Sequence, residues 1–167
     1  MLNTAITLTH VTPIPQDMSR EEALSRLHDA ENHIKSDPNL THWNPRTPKV
    51  PPTVPEDIDS IAATECYTVT DTVPTHLPKA LPKGMLEKKS VSEYEFTFTP
   101  NGSFVRIYCP LNVLMETRWR IQDASGGGLE LEEKVHAQCS RLLASVVRGE
   151  LEKNWKDVHH KLLTKKA

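Results

Sequence analysis

The sequence predicts an α+β domain in which one curved antiparallel sheet wraps a long helix and encloses a pocket. Three observations predict it. Four strand-like runs, Ser92–Phe98, Phe104–Cys109, Leu114–Ile121 and Leu129–Cys139, follow one another without a helical break. A long amphipathic segment, Ser140–Leu163, comes directly after them. A strand, a helix and a proline-rich link precede them, and 167 residues are one domain by size.

The elements read as follows. Ala5–Val11 alternates, with Ile6 and Leu8 pointing one way and Thr7 and Thr9 the other, so it is a strand that Pro13 and Pro15 end. Ser19 has the chemistry of an N-cap, and Glu21 and Glu22 suit the positive end of a helix. Ala23, Leu24, Leu27, Ala30 and Ile34 recur at helical spacing, which predicts one helix over Ser19–Lys35. Residues 44–55 carry five prolines and exclude a helix or a central strand. They read as an extended surface segment or as a lid over the pocket.

Ala62–Val73 is the next strand, with Tyr67, Val69, Asp71 and Val73 on one face. A second proline-rich link spans 74–84, and the meander is expected from Met85. Tyr94, Phe96 and Phe98 share a face at period two, and Pro100-Asn101-Gly102 signals a hairpin through the positive φ that Asn-Gly tolerates. Val113, Met115, Thr117, Trp119 and Ile121 form another inward face. Gly126–Gly128 is a turn, and Leu129, Leu131, Glu133, Val135, Ala137 and Cys139 face inward from the last strand. Leu143, Val147, Leu151, Trp155 or Val158, and Leu162 then make one stripe on the final helix.

Composition narrows the function. A net charge of −2 gives no electrostatic reason to expect nucleic acid or an anionic membrane. No apolar run approaches the ~20 residues that cross a bilayer. The alternating start of the chain is unlike a signal peptide. Cys66, Cys109 and Cys139 are odd in number and far apart, as expected of reduced thiols in a cytoplasmic protein. His28 and His33 are five residues apart and His159 and His160 are adjacent, so neither pair shares a helix face, and no metal site is expected. Glycine-rich phosphate loops and GxSxG are absent, so no cofactor is expected.

The order of elements resembles the helix-grip arrangement of the START-like (Bet v 1-like, polyketide cyclase-like) superfamily. Four segments further resemble a branch of small fungal START-like proteins: Thr4–Pro15, Cys66–Asp71, Phe96–Gly102, and Leu129–Glu133 with Cys139–Leu143 and Val147–Leu151. The resemblance spans nearly the whole chain. It implies a helix-grip fold with an internal cavity for a hydrophobic small molecule. It implies no shared catalytic residue.

The residues themselves offer three groups of candidates. Glu133 sits between Leu131 and Val135 on an apolar face, where a carboxyl would have a raised pKa and serve as general acid or base. Its alternatives are a solvent-facing position or an ion pair with Arg118 or Arg120. Asp71 and Tyr67 would place a carboxylate and a phenol on one wall, suited to moving protons around an enolisable carbonyl. Their alternatives are a strand-end cap and a core packing role. Tyr94, Phe96, Phe98, Met115, Thr117 and Trp119 would line the cavity and bind the ligand, or form core. His42-Trp43 stands near the expected mouth or anchors a loop.

Two functions follow. One is a cofactor-independent cyclase, isomerase or pericyclase acting on a hydrophobic small molecule. The other is a non-catalytic carrier of a lipid or polyketide-like ligand. A third option is an interaction module whose cavity its own side chains fill. An exposed edge strand near Ala62–Val73 would support a homodimer. A buried polar group without a structural partner would favour the enzyme over the carrier.

Overall fold

The computed structural model describes residues 3–72 and 89–164. Val73, the proline-rich link at 74–84 and the meander start at Met85 lie outside the described residues. The strands are β1 (Asn3–Pro13), β2 (Leu40–Pro45), β3 (Glu65–Thr72), β4 (Lys89–Thr99), β5 (Gly102–Cys109), β6 (Val113–Asp123) and β7 (Leu129–Ser140). The helices are α1 (Arg20–Leu27), α2 (Ala30–Ser36) and α3 (Ala144–Leu163). All strands join one antiparallel sheet in the order β1-β7-β6-β5-β4-β3-β2. The first strand pairs with the last, which closes the meander back onto β1. This is the helix-grip arrangement, with α3 across the inner face.

Local chemistry accounts for most of the boundaries. Ser19 caps α1, its hydroxyl accepting from Glu22 N while the Glu22 carboxylate accepts from Ser19 N in a reciprocal capping box. The single helix expected over Ser19–Lys35 is two helices. Asp29 caps the second, accepting from Asn32 N, and His28 Nε2 lies 2.9 Å from Thr99 O and 3.1 Å from Gly102 O. A long-range tether and a local cap thus break the helix where its periodicity alone would continue. The final helix begins at Ala144 because Ser140 still pairs with Asn3 and residues 141–143 turn.

The Asn-Gly hairpin forms where expected, for a different reason. Its loop is Pro100-Asn101, and neither Asn101 nor Gly102 takes a positive φ. Gly102 is required by close approach, since a Cβ there would lie 1.9 Å from Trp119 O on β6. The β6–β7 turn does use left-handed glycine, at Gly127 (φ 92°) and Gly128 (φ 80°).

Two expectations at the far edge are corrected. β3 is not an edge strand, because β2 pairs outside it through Trp43–Val69 and Pro45–Tyr67. The edges are β1 and β2. The proline-rich segment is also no lid. Thr53 O accepts from the Arg106 guanidinium, and Asp57 pairs with Arg118 at 2.6 Å. Arg106 and Arg118 alternate with the inward residues of β5 and β6, so this segment crosses the outer face of the sheet. Extended proline backbone can follow that face without taking a place in the ladder.

The main core joins Phe96, Phe98, Val105, Trp119, Ile121 and Leu131 of the sheet to Leu27, Ile34 and Leu162 of the helices. A smaller cluster of Ile6, Val113, Ala137 and Cys139 packs against Leu143, Val147 and Leu151. Cys66, Cys109 and Cys139 are free thiols.

Candidate functional site

Two acids face inward from the sheet, and their surroundings differ in every respect. Register explains the first. Trp119 on β6, Glu133 on β7 and His10 on β1 lie side by side. Glu133 Oε2 is 3.0 Å from His10 Nδ1 and 3.0 Å from His159 Nε2, the latter reaching down from α3. His159 Nδ1 in turn is 2.7 Å from Thr12 Oγ1. His10 stacks on Trp155 at 4.5 Å with nearly parallel rings.

Burial would raise the Glu133 carboxyl, but the hydrogen bonds from His10 and His159 and their charge hold it below the ordinary carboxylate range. The raised pKa expected from its apolar strand is therefore overturned. Arg118 and Arg120 do not pair with it; they bind Asp57 and Glu132. Nearby, His33 packs edge-on to Trp119 at 5.1 Å, and its Nε2 is buried without a partner. Burial pushes the His33 imidazole down to about 4, so it is neutral at pH 7.

Asp71 is the second acid. It lies one residue before the end of β3, on the same inward face as Val69 and Tyr67. Its Oδ1 is buried and has no hydrogen-bond partner among the described residues. Burial, and then the charge of Asp37 just after α2, push the Asp71 carboxyl up to about 7. Asp37 is itself raised by burial, although Asn39 N and the charge of Lys161 pull the other way. Tyr94 lies close enough for the Asp71 charge, added to burial, to lift its phenol well above the ordinary value. Cys109 belongs to the same region; burial raises its thiol to about 11, partly offset by a hydrogen bond with Ser92.

Tyr67 does not join Asp71. The two are four residues apart on one strand, about 13 Å. The Tyr67 hydroxyl donates to the exposed Glu65 at 3.1 Å, and its ring packs edge-on to Phe96 at 5.9 Å. Phe96, Phe98, Thr117 and Trp119 are buried, Thr117 between Val105 and Val135 in register. Tyr94 and Met115 are only half-buried, as are Ile107 on β5 and Val147, Leu151 and Val158 on α3. Solvent still reaches these inward side chains. Trp43 packs against the core and carries Lys35 over its ring at 5.0 Å.

Sequence reading missed His10 and His159. The signal for His10 was present, because the period that turns Ile6 and Leu8 inward also turns His10 and Thr12 inward. The pairing of β1 with β7 was not readable locally. Among the described residues no cluster of three or more histidine, cysteine or acidic groups could hold a metal ion. No helix among them is long and apolar enough to cross a membrane.

A seven-stranded antiparallel sheet gripping one long helix defines the helix-grip class. Residues 3–167 match the domain of unknown function DUF7053, and the chain belongs to that family. No curated protein matches its sequence. Among solved structures it is similar to the di-domain ARO/CYC StfQ from the steffimycin biosynthetic pathway. The TM-score there is 0.60 at 9% identity, over 95% of this chain and 48% of StfQ, so the chain spans about half of that protein. TTHA0849 from Thermus thermophilus superposes with TM-score 0.57 at 11% identity, over 96% of this chain and 94% of that one. The hypothetical protein jhp0584 from Helicobacter pylori gives 0.47 at 9% identity, covering 96% and 86% of the two chains. The first two likenesses establish the fold.

Proposed function

We propose that this protein binds an apolar, carbonyl-bearing small molecule between the sheet and α3 and transforms it without a cofactor, as a cyclase, isomerase or pericyclase. The observation that carries this reading is Asp71, a half-buried inward carboxyl whose buried Oδ1 has no hydrogen-bond partner among the described residues and whose pKa is pushed up to about 7. A carboxyl balanced near neutrality can both give and take a proton at the working pH. A structural acid would instead be paired, as Glu133 is.

The half-buried Tyr94 phenol, which stays protonated at neutral pH, is the hydrogen-bond donor for a ligand carbonyl. Tyr94, Ile107, Met115 and the α3 side chains Val147 and Leu151 supply apolar walls that hold a flexible substrate in a reactive conformer. Phe96, Phe98, Thr117 and Trp119 back those walls. The fold shared with the ARO/CYC StfQ supports a cyclase-type reaction. The four segments resembling small fungal START-like proteins support a place in fungal specialised metabolism. The free thiols support a cytoplasmic location.

Native mass spectrometry after incubation with an extract of the source organism tests the proposal. Wild type is expected to release a bound compound in altered form, and Asp71→Asn to release it unaltered. Unaltered release from both would make the protein a carrier. No bound compound would mean that its own side chains close the interior.

A further inference from the structure

We infer that Thr12, His159 and Glu133 form a second, nucleophilic site, which opens onto a groove between β1 and α3 and takes apolar acyl esters. The groove has a volume of about 680 Å³. Val11, Thr12, Met18, Trp155, Lys156 and Leu163 are among its walls. Thr12 is thus both a wall of an open groove and the 2.7 Å partner of a histidine that is 0% exposed.

The hydrogen-bond chain has a direction. The Glu133 carboxylate can only accept, so His159 Nε2–H donates to it at 3.0 Å. In its neutral form His159 then turns the Nδ1 lone pair toward Thr12, and the Thr12 hydroxyl donates to it. This is the tautomer that a general base needs beside a nucleophile. Two contacts keep Glu133 oriented toward His159. His10 donates to the same carboxylate oxygen, and His10 is itself clamped flat against Trp155. A hydroxyl, an imidazole and a carboxylate within hydrogen-bond reach, with the hydroxyl on a residue that lines an open groove, meet the geometric requirements for acyl transfer.

The reaction balances without any further reagent. Thr12 Oγ1 attacks the ester carbonyl carbon while its proton passes to His159 Nδ1. The bond to the alcohol oxygen breaks, and the alcohol leaves with that proton. Water then attacks the acyl-threonine and gives a proton to His159. The acid departs, and the proton returns to Thr12 Oγ1. Lys156, 5.6 Å over the Trp155 ring, is a groove-lining cation that can stabilise the developing oxyanion. Val11, Met18 and Leu163 select an apolar acyl chain.

The test uses the full chain with p-nitrophenyl hexanoate, following p-nitrophenolate release and intact mass. The expected result is a burst with one hexanoyl group added, mapped to Thr12. Thr12→Ser should keep the burst. Thr12→Val, close in shape, should lower it by at least about tenfold when read well below its melting transition. Glu133 acts through His159 as a positioning residue, so Glu133→Gln should displace the pH profile of the burst, a change that looser packing alone does not produce. An unchanged burst in Thr12→Val, acylation mapped to a lysine or cysteine, or no acylation of the wild type would each overturn the inference.

Discussion

Asp71→Asn should stabilise the protein at alkaline pH and leave it unchanged in acid. The Asp71 carboxyl is pushed from 3.8 to about 7, first by burial and then by Asp37. A carboxyl raised in the fold holds its proton through a window in which the unfolded chain has lost it. Stability is therefore complete at and below about pH 4, falls as pH climbs toward 7, and levels off above. At about 1.36 kcal/mol per pH unit, the charged form costs about 4 kcal/mol in the fold. Partial contact with solvent screens this to about 2 kcal/mol. Asparagine keeps the shape and never takes the charge. The variant should gain about 2 kcal/mol at pH 8, or roughly 4–8 °C in Tm for a domain of this size. At pH 4 it should match wild type. Urea unfolding at pH 4, 6 and 8 reads the difference directly. A gain independent of pH, or a variant weaker than wild type at pH 8, would refute the reasoning and with it the description of Asp71 as an acid raised by burial and by Asp37.

Other residues give equally direct expectations. Gly102→Ala would set a Cβ 1.9 Å from Trp119 O, forcing β5 from β6 at a cost of about 3 kcal/mol or more, read by urea unfolding. Glu133→Gln removes the charged acceptor of two imidazoles and should cost about 3 kcal/mol, with altered ring-nitrogen NMR shifts of both His10 and His159. His33 is depressed to about 4 from 6.5, chiefly by burial, so its contribution is complete above pH 6.5 and is lost as pH falls toward 4. His33→Leu should flatten the decline of Tm between those values; an equally steep decline would place the acid sensitivity elsewhere.

What was legible in the sequence was local. The alternation of Tyr94, Phe96 and Phe98, and of Leu129 through Cys139, fixes which face each strand buries. The stripe from Val147 to Leu162 fixes the grip of α3. What stayed hidden was set by partners far along the chain. His28 breaks a helix by reaching carbonyls of Thr99 and Gly102. β2 lies beside a proline-rich stretch that reads as loop, and only its pairing with β3 makes it a strand. Glu133 stood out as a carboxyl among aliphatics, yet its pKa has the opposite direction to that expected. The donors that decide it arrive from β1, 123 residues away, and from α3, 26 residues away. Composition around a carboxyl predicts desolvation; it does not predict which donors the fold will bring.

The two inward acids make that point chemical. Glu133 and Asp71 share one face of one sheet; Glu133 is buried, and Asp71 is half-buried with its Oδ1 withdrawn from water. Glu133 meets two imidazoles on one oxygen and is held charged. Asp71 meets no donor at one oxygen and a second acid nearby, and is held near neutrality. A carboxylate fixed by two donors can orient a base but gives up its own proton chemistry. A carboxyl with an unpartnered oxygen keeps that chemistry and costs the fold stability. A protein selected for stability alone has no reason to retain such a group, because asparagine at the same position would be more stable at neutral pH. The expected cost at Asp71 is therefore what most favours the proposed chemistry on the inner face of this sheet.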